Sequence, residues 1–393
     1  MGKVPLKSVR AAKTFYFVFY AALACFAPFL ALNYQEVGLT GRQIGFLAGI
    51  VPLVIMFASS LWSMISDATG RHQLMFLLAL AGTWLSVLLI SRTSSFLLLL
   101  PIVVFYAFCF APIMPLVDNA VVEDLGAERR NEYGRQRVWG SYGWGLTGAI
   151  AGSVIAARGL SWSFILFLVI YLPLFLVATR VPMRKGSGSS NFWSDFRLLL
   201  SNRQWLLFVA TAVVGGLSLS IFLNFLFIYL AELGTSATIM GLTLTLATVS
   251  EIPVFLFTRR LLSRWSAPFL LAVAIAFTAI RSFAYVGMTE PWQALLFSLL
   301  HGPSFALMWI AGVAYAAESA PPGLGATAQG VFSGMAMGLG SALGAFAGGL
   351  LYDAYGIVSL FYFAGFAALA ALVIFVAINR NLFRSQLQQT SLP

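Results

Sequence analysis

Three ionisable residues in the second half of this chain, Glu251, Arg281 and His301, lie inside long apolar segments, although only 9% of the 393 residues are charged. A charged side chain at mid-bilayer costs roughly 2.5 to 3.5 kcal/mol even on lenient insertion scales, so such residues usually line a cavity and act there. A carboxylate, a guanidinium and an imidazole clustered at low dielectric have mutually dependent protonation. Such a cluster meets a requirement for coupling proton uptake to substrate binding; a purely structural role for His301, hydrogen-bonded between helices, is the alternative.

A second set of polar residues lies in the first half. Arg137, Ser141 and Trp144 are spaced i, i+4 and i+7 and would share one helix face. The guanidinium offers a rigid fork of donors for hydroxyls or a carboxylate, and the indole offers an apolar plate for a sugar face or an aromatic ring. Asp118 and Asn119 end the preceding apolar segment. If Asp118 is ionised, Arg137 is its candidate cation partner; the alternative is a neutral acid. The alternatives are a packing role for Trp144 and a topology role for Arg137.

The composition indicates what must hold these residues in place. With 60% hydrophobic residues and a mean hydropathy of +0.90, the chain is predicted to be an integral membrane protein. Crossing about 30 Å of hydrocarbon takes roughly 20 helical residues. Twelve stretches meet this requirement, near 14–32, 44–64, 73–91, 96–118, 134–157, 162–179, 205–230, 238–257, 268–287, 292–316, 326–350 and 357–378. We therefore predict an all-α protein of twelve membrane helices.

Most of the 23 lysine and arginine residues fall in the N-terminal segment, the C-terminal tail and every second loop. Because basic residues concentrate in cytoplasmic loops, both termini are predicted to be cytoplasmic, in the plasma (inner) membrane of the cell. The formal net charge of +10 is then an orientation signal and an attraction to anionic lipid, not a sign of nucleic-acid binding.

The longest polar interruption divides the predicted spans six and six. It predicts an N-terminal bundle at 1–180, a cytoplasmic linker at 181–204, and a C-terminal bundle with a short tail at 205–393. A small-residue pattern at Gly148 and Gly152 recurs at Gly344 and Gly348, in the corresponding span of the other half, which supports duplication. Such glycines are typical of tight helix seams, because lipid supplies no hydrophobic drive between helices.

The loop after the second span contains Asp67, Gly70 and Arg71. It resembles a short cytoplasmic signature of the major facilitator superfamily, although Ser63 and Ala68 depart from the usual glycine and basic residue. In that family the loop belongs to the conformational gate, and a carboxylate at a helix end with a nearby arginine can make a charge-assisted contact. A solvated interfacial turn is the alternative for Asp67 and Arg71.

The stretch from Tyr133 to Trp144, together with Asp118, resembles the branch of the same superfamily that holds lactose permease and the phenylpropionate-type permeases, which are proton symporters. Glu251, Arg281 and His301 follow in matching order. The resemblance implies two pseudo-symmetric six-helix bundles, substrate contact at Asp118, Asn119, Arg137, Ser141 and Trp144, and proton coupling at the later trio. Ser304 and Thr248 replace two glutamates of lactose permease, which weakens the analogy to galactoside transport.

These features favour a secondary transporter, with proton-coupled uptake of a sugar, a nucleoside or an aromatic carboxylate. The chain has no phosphate-binding loop for ATP-driven transport. We expect no enzymatic activity, cofactor or metal, and as partners only a small solute, protons and lipid, with a monomer sufficing. A transport-inactive receptor or scaffold of the same fold, or an exporter, remains an alternative.

Overall fold

The computed structural model describes residues 6–129, 132–181, 203–320 and 324–380. Most of these residues are helical, and no β-strand occurs within those ranges. The predicted linker at 181–204 lies almost entirely outside the described residues.

Helices follow one another along the whole described chain. Those of the first half are α1 (Leu6–Glu36), α2 (Gly41–Thr69), α3 (His72–Ile90), α4 (Phe96–Phe110), α5 (Ile113–Arg129), α6 (Tyr133–Arg158), α7 (Trp162–Tyr171) and α8 (Pro173–Ala178). Those of the second half are α9 (Arg203–Glu232), α10 (Ala237–Leu256), α11 (Thr258–Arg264), α12 (Ala267–Val286), α13 (Gln293–Ser298), a π-helical turn at Gly302–Ala306, α14 (Leu307–Ser319), α15 (Gly325–Ser333), a π-helical turn at Gly334–Gly340, α16 (Ser341–Tyr355) and α17 (Val358–Ile378).

Each of the twelve predicted apolar stretches coincides with helix, which confirms the all-α membrane architecture. Within the described ranges, 10 helices are long and apolar enough to cross a membrane. The two remaining stretches are α6, whose first turns carry Arg135 and Arg137, and the shorter segment Trp162–Ala178.

Four of the predicted stretches are not continuous α-helices. Three of the interruptions lie at or next to a proline, namely Pro112, Pro173 and Pro303. Proline interrupts a helix because it has no backbone N–H and its ring clashes with the preceding turn. The fourth interruption is the glycine-containing π-helical turn at Gly334–Gly340. Such turns are common at functional sites.

Large apolar side chains are exposed along several helices. Leu97 is 76% exposed, Ile150 is 62% exposed and Val373 is 60% exposed. Contact of this apolar surface with the hydrocarbon of a bilayer costs no free energy, whereas its exposure to water would be unfavourable. The outward faces of the helices therefore match a multi-pass membrane protein.

The chain forms two compact units. Unit 1 comprises Met1–Gly188 with Leu230–Thr245, and unit 2 comprises Ser189–Tyr229 with Leu246–Pro393. Aromatic side chains fill both interiors: Phe15, Phe19 and Phe167 are fully buried in unit 1, as are Phe208 and Tyr285 in unit 2.

Within each unit, the first helix packs against a glycine-bearing helix in an equivalent way. A Cβ atom added to Gly143 of α6 would lie 2.2 Å from the carbonyl oxygen of Phe17 in α1. One added to Gly340 would lie 2.5 Å from the carbonyl oxygen of Val213 in α9. Val213 follows Phe17 by 196 positions and Gly340 follows Gly143 by 197. The repeated packing supports the duplication that the glycine pattern indicated.

The α2–α3 loop holds the residues that we expected to form a gate. Gly70 ends α2 in the left-handed region at φ 63°, and its N–H donates to the carbonyl of Ser66. Arg71 is exposed to solvent. The side chain of Asp67 lies outside the described residues, so the gate assignment of Asp67 and Arg71 stays a prediction.

Candidate functional site

In unit 1, Asp118 of α5 lies beside two groups of other helices. The hydroxyl of Tyr16 in α1 donates to Oδ1 of Asp118 over 2.6 Å. Nε of Arg137 in α6 lies 4.0 Å from the same oxygen. The side chains of Arg137 and Asp118 are 34% and 33% exposed, so the pair is reachable from outside the protein. The structure thus brings together Asp118 and Arg137, the carboxyl group and the guanidinium that the sequence suggested as partners.

Arg137 is further held by a second tyrosine of α1. Its guanidinium donates to the hydroxyl of Tyr20 and lies over that ring, with its carbon 4.6 Å from the ring centroid. It also lies 5.3 Å from the ring centroid of Tyr16. A charge over an aromatic face is stabilised by roughly 0.5 to 2 kcal/mol, depending on desolvation. These contacts fix the orientation of the donor fork.

Gly140 makes room for this arrangement one turn further along α6. A Cβ atom at Gly140 would lie 2.7 Å from the ring of Tyr20 and 2.9 Å from a terminal nitrogen of Arg137. A larger residue at this position would therefore displace the arginine or the tyrosine.

The other predicted substrate residues of unit 1 have different surroundings. Ser141 and Trp144 are both partly exposed on α6, and the continuous helix places them on the Arg137 face, as their spacing predicted. Asn119 donates to Oε1 of Glu123 over 3.3 Å, one turn along its own helix. Asn119 is therefore engaged with a carboxylate that the sequence analysis did not single out.

Tyr16 and Tyr20 are site residues that sequence reasoning missed. They lie in an otherwise apolar run and look like two more aromatic packing residues. Their i, i+4 spacing on one face of α1 was the available signal.

In unit 2, three ionisable residues form a chain of contacts. Oε1 of Glu251 in α10 lies 3.0 Å from Nε2 of His301. Nδ1 of His301 lies 2.8 Å from a terminal nitrogen of Arg281 in α12. Arg281 is 6% exposed, and the side chains of Glu251 and His301 are each 15% exposed. The structure therefore brings the predicted trio together, with the imidazole in the middle.

The order of these contacts sets the tautomer of His301. Arginine donates hydrogen bonds and accepts none, so Nδ1 must present its lone pair to Arg281. A neutral imidazole then carries its proton on Nε2 and donates it to Oε1 of Glu251. With Glu251 ionised, the three groups are a cation, a neutral ring and an anion, and their charges cancel.

Aromatic rings and a close helix contact fix this trio. The guanidinium carbon of Arg281 lies 3.9 Å from the ring centroid of Phe222 in α9, and the His301 ring stacks on Phe305 with centroids 5.1 Å apart. The N–H of Gly302 donates to the hydroxyl of Ser250 over 2.8 Å, which ties the π-helical turn to α10. Phe222 and Ser250 were also missed, because neither residue type signals a site by itself.

The two positions that depart from lactose permease are both buried. The hydroxyl of Ser304 donates to the carbonyl of His301 over 3.1 Å. Thr248 is 7% exposed. In the described part of the chain, no group of three or more histidine, cysteine, aspartate or glutamate side chains could hold a metal ion.

Comparison with known proteins agrees with this architecture. A family model described as "MFS_1 like family" matches residues 9–374. The chain is 27% identical to the maltose permease of Geobacillus stearothermophilus over 370 residues, which cover 93% of each protein. It is 26% identical to the probable 3-phenylpropionic acid transporter of Escherichia coli (strain K12) over 360 residues, which cover 89% of this chain and 93% of that one.

Among solved structures, the nucleoside transporter NupG superposes with a TM-score of 0.80 at 15% identity, over 96% of this chain and 99% of that chain. This likeness shows the fold, which is that of the major facilitator superfamily. The family and these relatives are transporters, not enzymes. The chain, with its two units and membrane helices, belongs to the MFS_1 like family of transporters.

Proposed function

We propose that this protein is a proton-coupled secondary transporter that takes up a small neutral solute bearing hydroxyl groups, such as a sugar or a nucleoside, by alternating access. The observation that carries the proposal is the contact chain of Glu251, His301 and Arg281. A buried carboxylate joined to an imidazole can receive a proton, pass it on and change its contacts in doing so.

Charge balance in unit 1 favours a neutral solute. Arg137 already lies 4.0 Å from Asp118, so the pair carries no uncompensated positive charge. An aromatic carboxylate bound there would find no uncompensated positive charge, because Asp118 already balances Arg137. A hydroxyl can accept from Arg137 and donate to Asp118, and both residues are about one-third exposed. We assign substrate contact to Asp118, Arg137, Ser141 and Trp144, with Asn119 in support.

The names of the relatives are consistent with this assignment. One relative is called a maltose permease and one structural neighbour a nucleoside transporter, while a third is called a probable 3-phenylpropionic acid transporter. The first two names imply neutral polyhydroxylated solutes. The third keeps an aromatic acid among the compounds that need testing.

Proton coupling would use the tautomer of His301. A proton that reaches Glu251 removes the carboxylate that accepts from Nε2, and a proton that reaches Nδ1 places a cation beside Arg281. Protonation of Glu251 weakens its contact with Nε2, and protonation of Nδ1 removes the lone pair that accepts from Arg281. Each event changes the stability of the trio, which is how protonation would bias a two-state carrier. We propose that this bias links proton uptake to solute uptake. We also propose that the protein lies in the plasma membrane with both termini cytoplasmic, and that a single chain is sufficient for transport.

The coupling test uses purified protein in liposomes. Addition of a transported solute should make the outside medium more alkaline, because protons enter with the solute. Glu251→Gln, which can still accept a hydrogen bond but has no charge, should abolish the alkalinisation. Glu290→Gln, which changes an exposed carboxylate, is the matched control and should leave it intact. A wild-type signal that persists in Glu251→Gln would remove Glu251 from coupling.

The solute test is a thermal-shift panel of sugars, nucleosides and aromatic acids on the purified protein. A specific ligand raises the apparent stability by mass action, by about 2.7 kcal/mol at one hundred times its Kd. Stabilisation by an aromatic acid alone would contradict the neutral-solute assignment. Binding without uptake in liposomes would instead indicate a receptor.

A further inference from the structure

A small cavity lies inside unit 2, next to the buried trio. It has about 10 Å³ of space, and its polar lining comes from α9, α12 and the π-helical turn. Its lining includes the side chains of Ser218, Thr278, Arg281, Ser304 and Met308. A cavity of about 10 to 15 Å³ is large enough to hold one water molecule.

Two fully buried polar atoms on this lining have no hydrogen-bond partner among the described residues: the hydroxyl oxygen of Ser218 and Nε of Arg281. Ser218 is 0% exposed and Arg281 is 6% exposed. Other buried helix hydroxyls of unit 2 bond back to the preceding turn, as Ser282 does to the carbonyl of Thr278 over 2.9 Å. Ser218 does not, and a buried hydroxyl that is left without a partner destabilises the fold.

The other polar groups of the lining have spare acceptor capacity. Ser304 donates its proton to the carbonyl of His301, and Thr278 donates to the carbonyl of Ala274 over 2.9 Å. Both hydroxyl oxygens therefore keep lone pairs, while Arg281 offers an N–H and Ser218 an O–H. Buried waters make two to four such bonds.

We propose that one water molecule is bound in this cavity, where it accepts from Nε of Arg281 and bonds the hydroxyl of Ser218, with Ser304 or Thr278 as a further acceptor. Water fits better than a small anion for two reasons. The charge of Arg281 is already matched by Glu251 through His301, and the cavity has room for one water. The bound water holds Nε of the guanidinium, so that the terminal nitrogen stays on His301. Ser218 is then a positioning residue.

The proposal rests on the geometry of unit 2 and stands apart from the transport function. Its test is hydroxyl-radical footprinting by pulsed radiolysis with mass spectrometry, in which radicals form from water and oxidise the side chains next to it. Met308 and Met240 are both 2% exposed, so bulk solvent reaches them equally little, but only Met308 lines this cavity. We expect Met308 to oxidise several-fold faster than Met240. Equal rates would overturn the proposal.

Substitution of Ser218 tests whether its hydroxyl binds the water. Ser218→Val removes the hydroxyl and fills the cavity, and it should lower the Met308 rate to that of Met240. Ser282→Ala, at a buried serine whose hydroxyl already bonds the backbone, should leave the Met308 rate unchanged. Unfolding of a variant would be detected as a higher oxidation rate of Met240. The comparison of Met308 with Met240 in the wild-type protein tests the bound water without any variant. A folded Ser218→Val protein with undiminished Met308 oxidation would overturn the site.

Discussion

Gly302 and Ser250 bring the π-helical turn and α10 into backbone contact. The N–H of Gly302 donates to Oγ of Ser250 over 2.8 Å, and a Cβ atom on Gly302 would lie 2.0 Å from the carbonyl oxygen of Ser250. Each partner is adjacent in sequence to a member of the trio, Ser250 to Glu251 and Gly302 to His301. The distance between carboxylate and imidazole is therefore set by a contact that only glycine permits.

Gly302→Ala should separate these two helices and weaken both stability and coupling. Overpacking of a tight site typically costs about 1 to 3 kcal/mol. Thermal unfolding in detergent would measure the loss, and solute-driven proton uptake would measure the coupling. Gly330→Ala is the control, because a Cβ atom there meets nothing within 4 Å. If both variants behaved alike, the close contact would have no role.

The sequence predicted the helices well because bilayer spanning leaves a long, local signal. It predicted less about their interruptions. Glycines recur every four residues at 330, 334 and 338 and again at 340, 344 and 348, a spacing typical of one tight helix seam. Only the later ones pack tightly: added Cβ atoms at Gly340 and Gly344 would meet the backbone of α9, whereas at Gly330 and Gly334 they would meet nothing within 4 Å. Whether a small residue faces a neighbour depends on the phase of the helix, which a π-helical turn changes.

The candidate sites were partly predictable for a similar reason. Ionisable residues in apolar segments are few, so Asp118 with Arg137, and the trio of unit 2, could be selected from the sequence. The neutral groups that orient them, Tyr16 and Phe222, could not, because aromatic residues are frequent in such helices and their contacts are set by tertiary packing. The central position of His301 likewise depends on three helices meeting.

Tyr16→Phe tests the orientation of Asp118. The variant keeps the ring beside Arg137 but removes the hydroxyl that donates to the carboxylate over 2.6 Å. Hydrogen bonds to charged groups contribute about 1.5 to 3 kcal/mol, so solute affinity should fall by roughly tenfold or more. The change is measured as Kd by titration of the purified protein. Tyr229→Phe removes a buried tyrosine hydroxyl that donates to the Tyr285 carbonyl over 3.0 Å in unit 2, and should leave Kd unchanged.

Arg137→Ala tests the recognition surface directly. Loss of the Arg137 guanidinium, with its hydrogen-bond donors and its charge beside Asp118, should weaken solute binding by about 2 to 5 kcal/mol. Part of this free energy is the cost of leaving the carboxylate of Asp118 unpaired. Membrane insertion should be normal, because the helices that carry the apolar signal are unchanged. Arg135→Ala, at an exposed arginine of the same helix, is the matched control. Normal affinity of Arg137→Ala for a solute that binds the wild type would contradict the surface.

His301→Gln separates the structural contacts of the trio from proton movement. The glutamine carbonyl can accept from Arg281 and its amide can donate to Glu251, so the hydrogen-bond pattern of the neutral imidazole is preserved. The amide cannot take up and release a proton as an imidazole can. Exchange of labelled for unlabelled solute across the liposome membrane, which needs no net proton transfer, should therefore stay within a few-fold of wild type. Proton-driven accumulation should fall at least about tenfold, the equivalent of 1.4 kcal/mol.

His301→Phe is the matched comparison, because it keeps a ring that can stack on Phe305 but supplies neither contact. It leaves Arg281 without its acceptor and Glu251 without its donor. Breaking a buried ionic arrangement by removing one partner costs about 3 to 5 kcal/mol, so this variant should lose exchange as well as accumulation. Wild-type accumulation in His301→Gln would show that the imidazole holds the helices together and carries no proton, which is the structural role that a histidine between helices can also have.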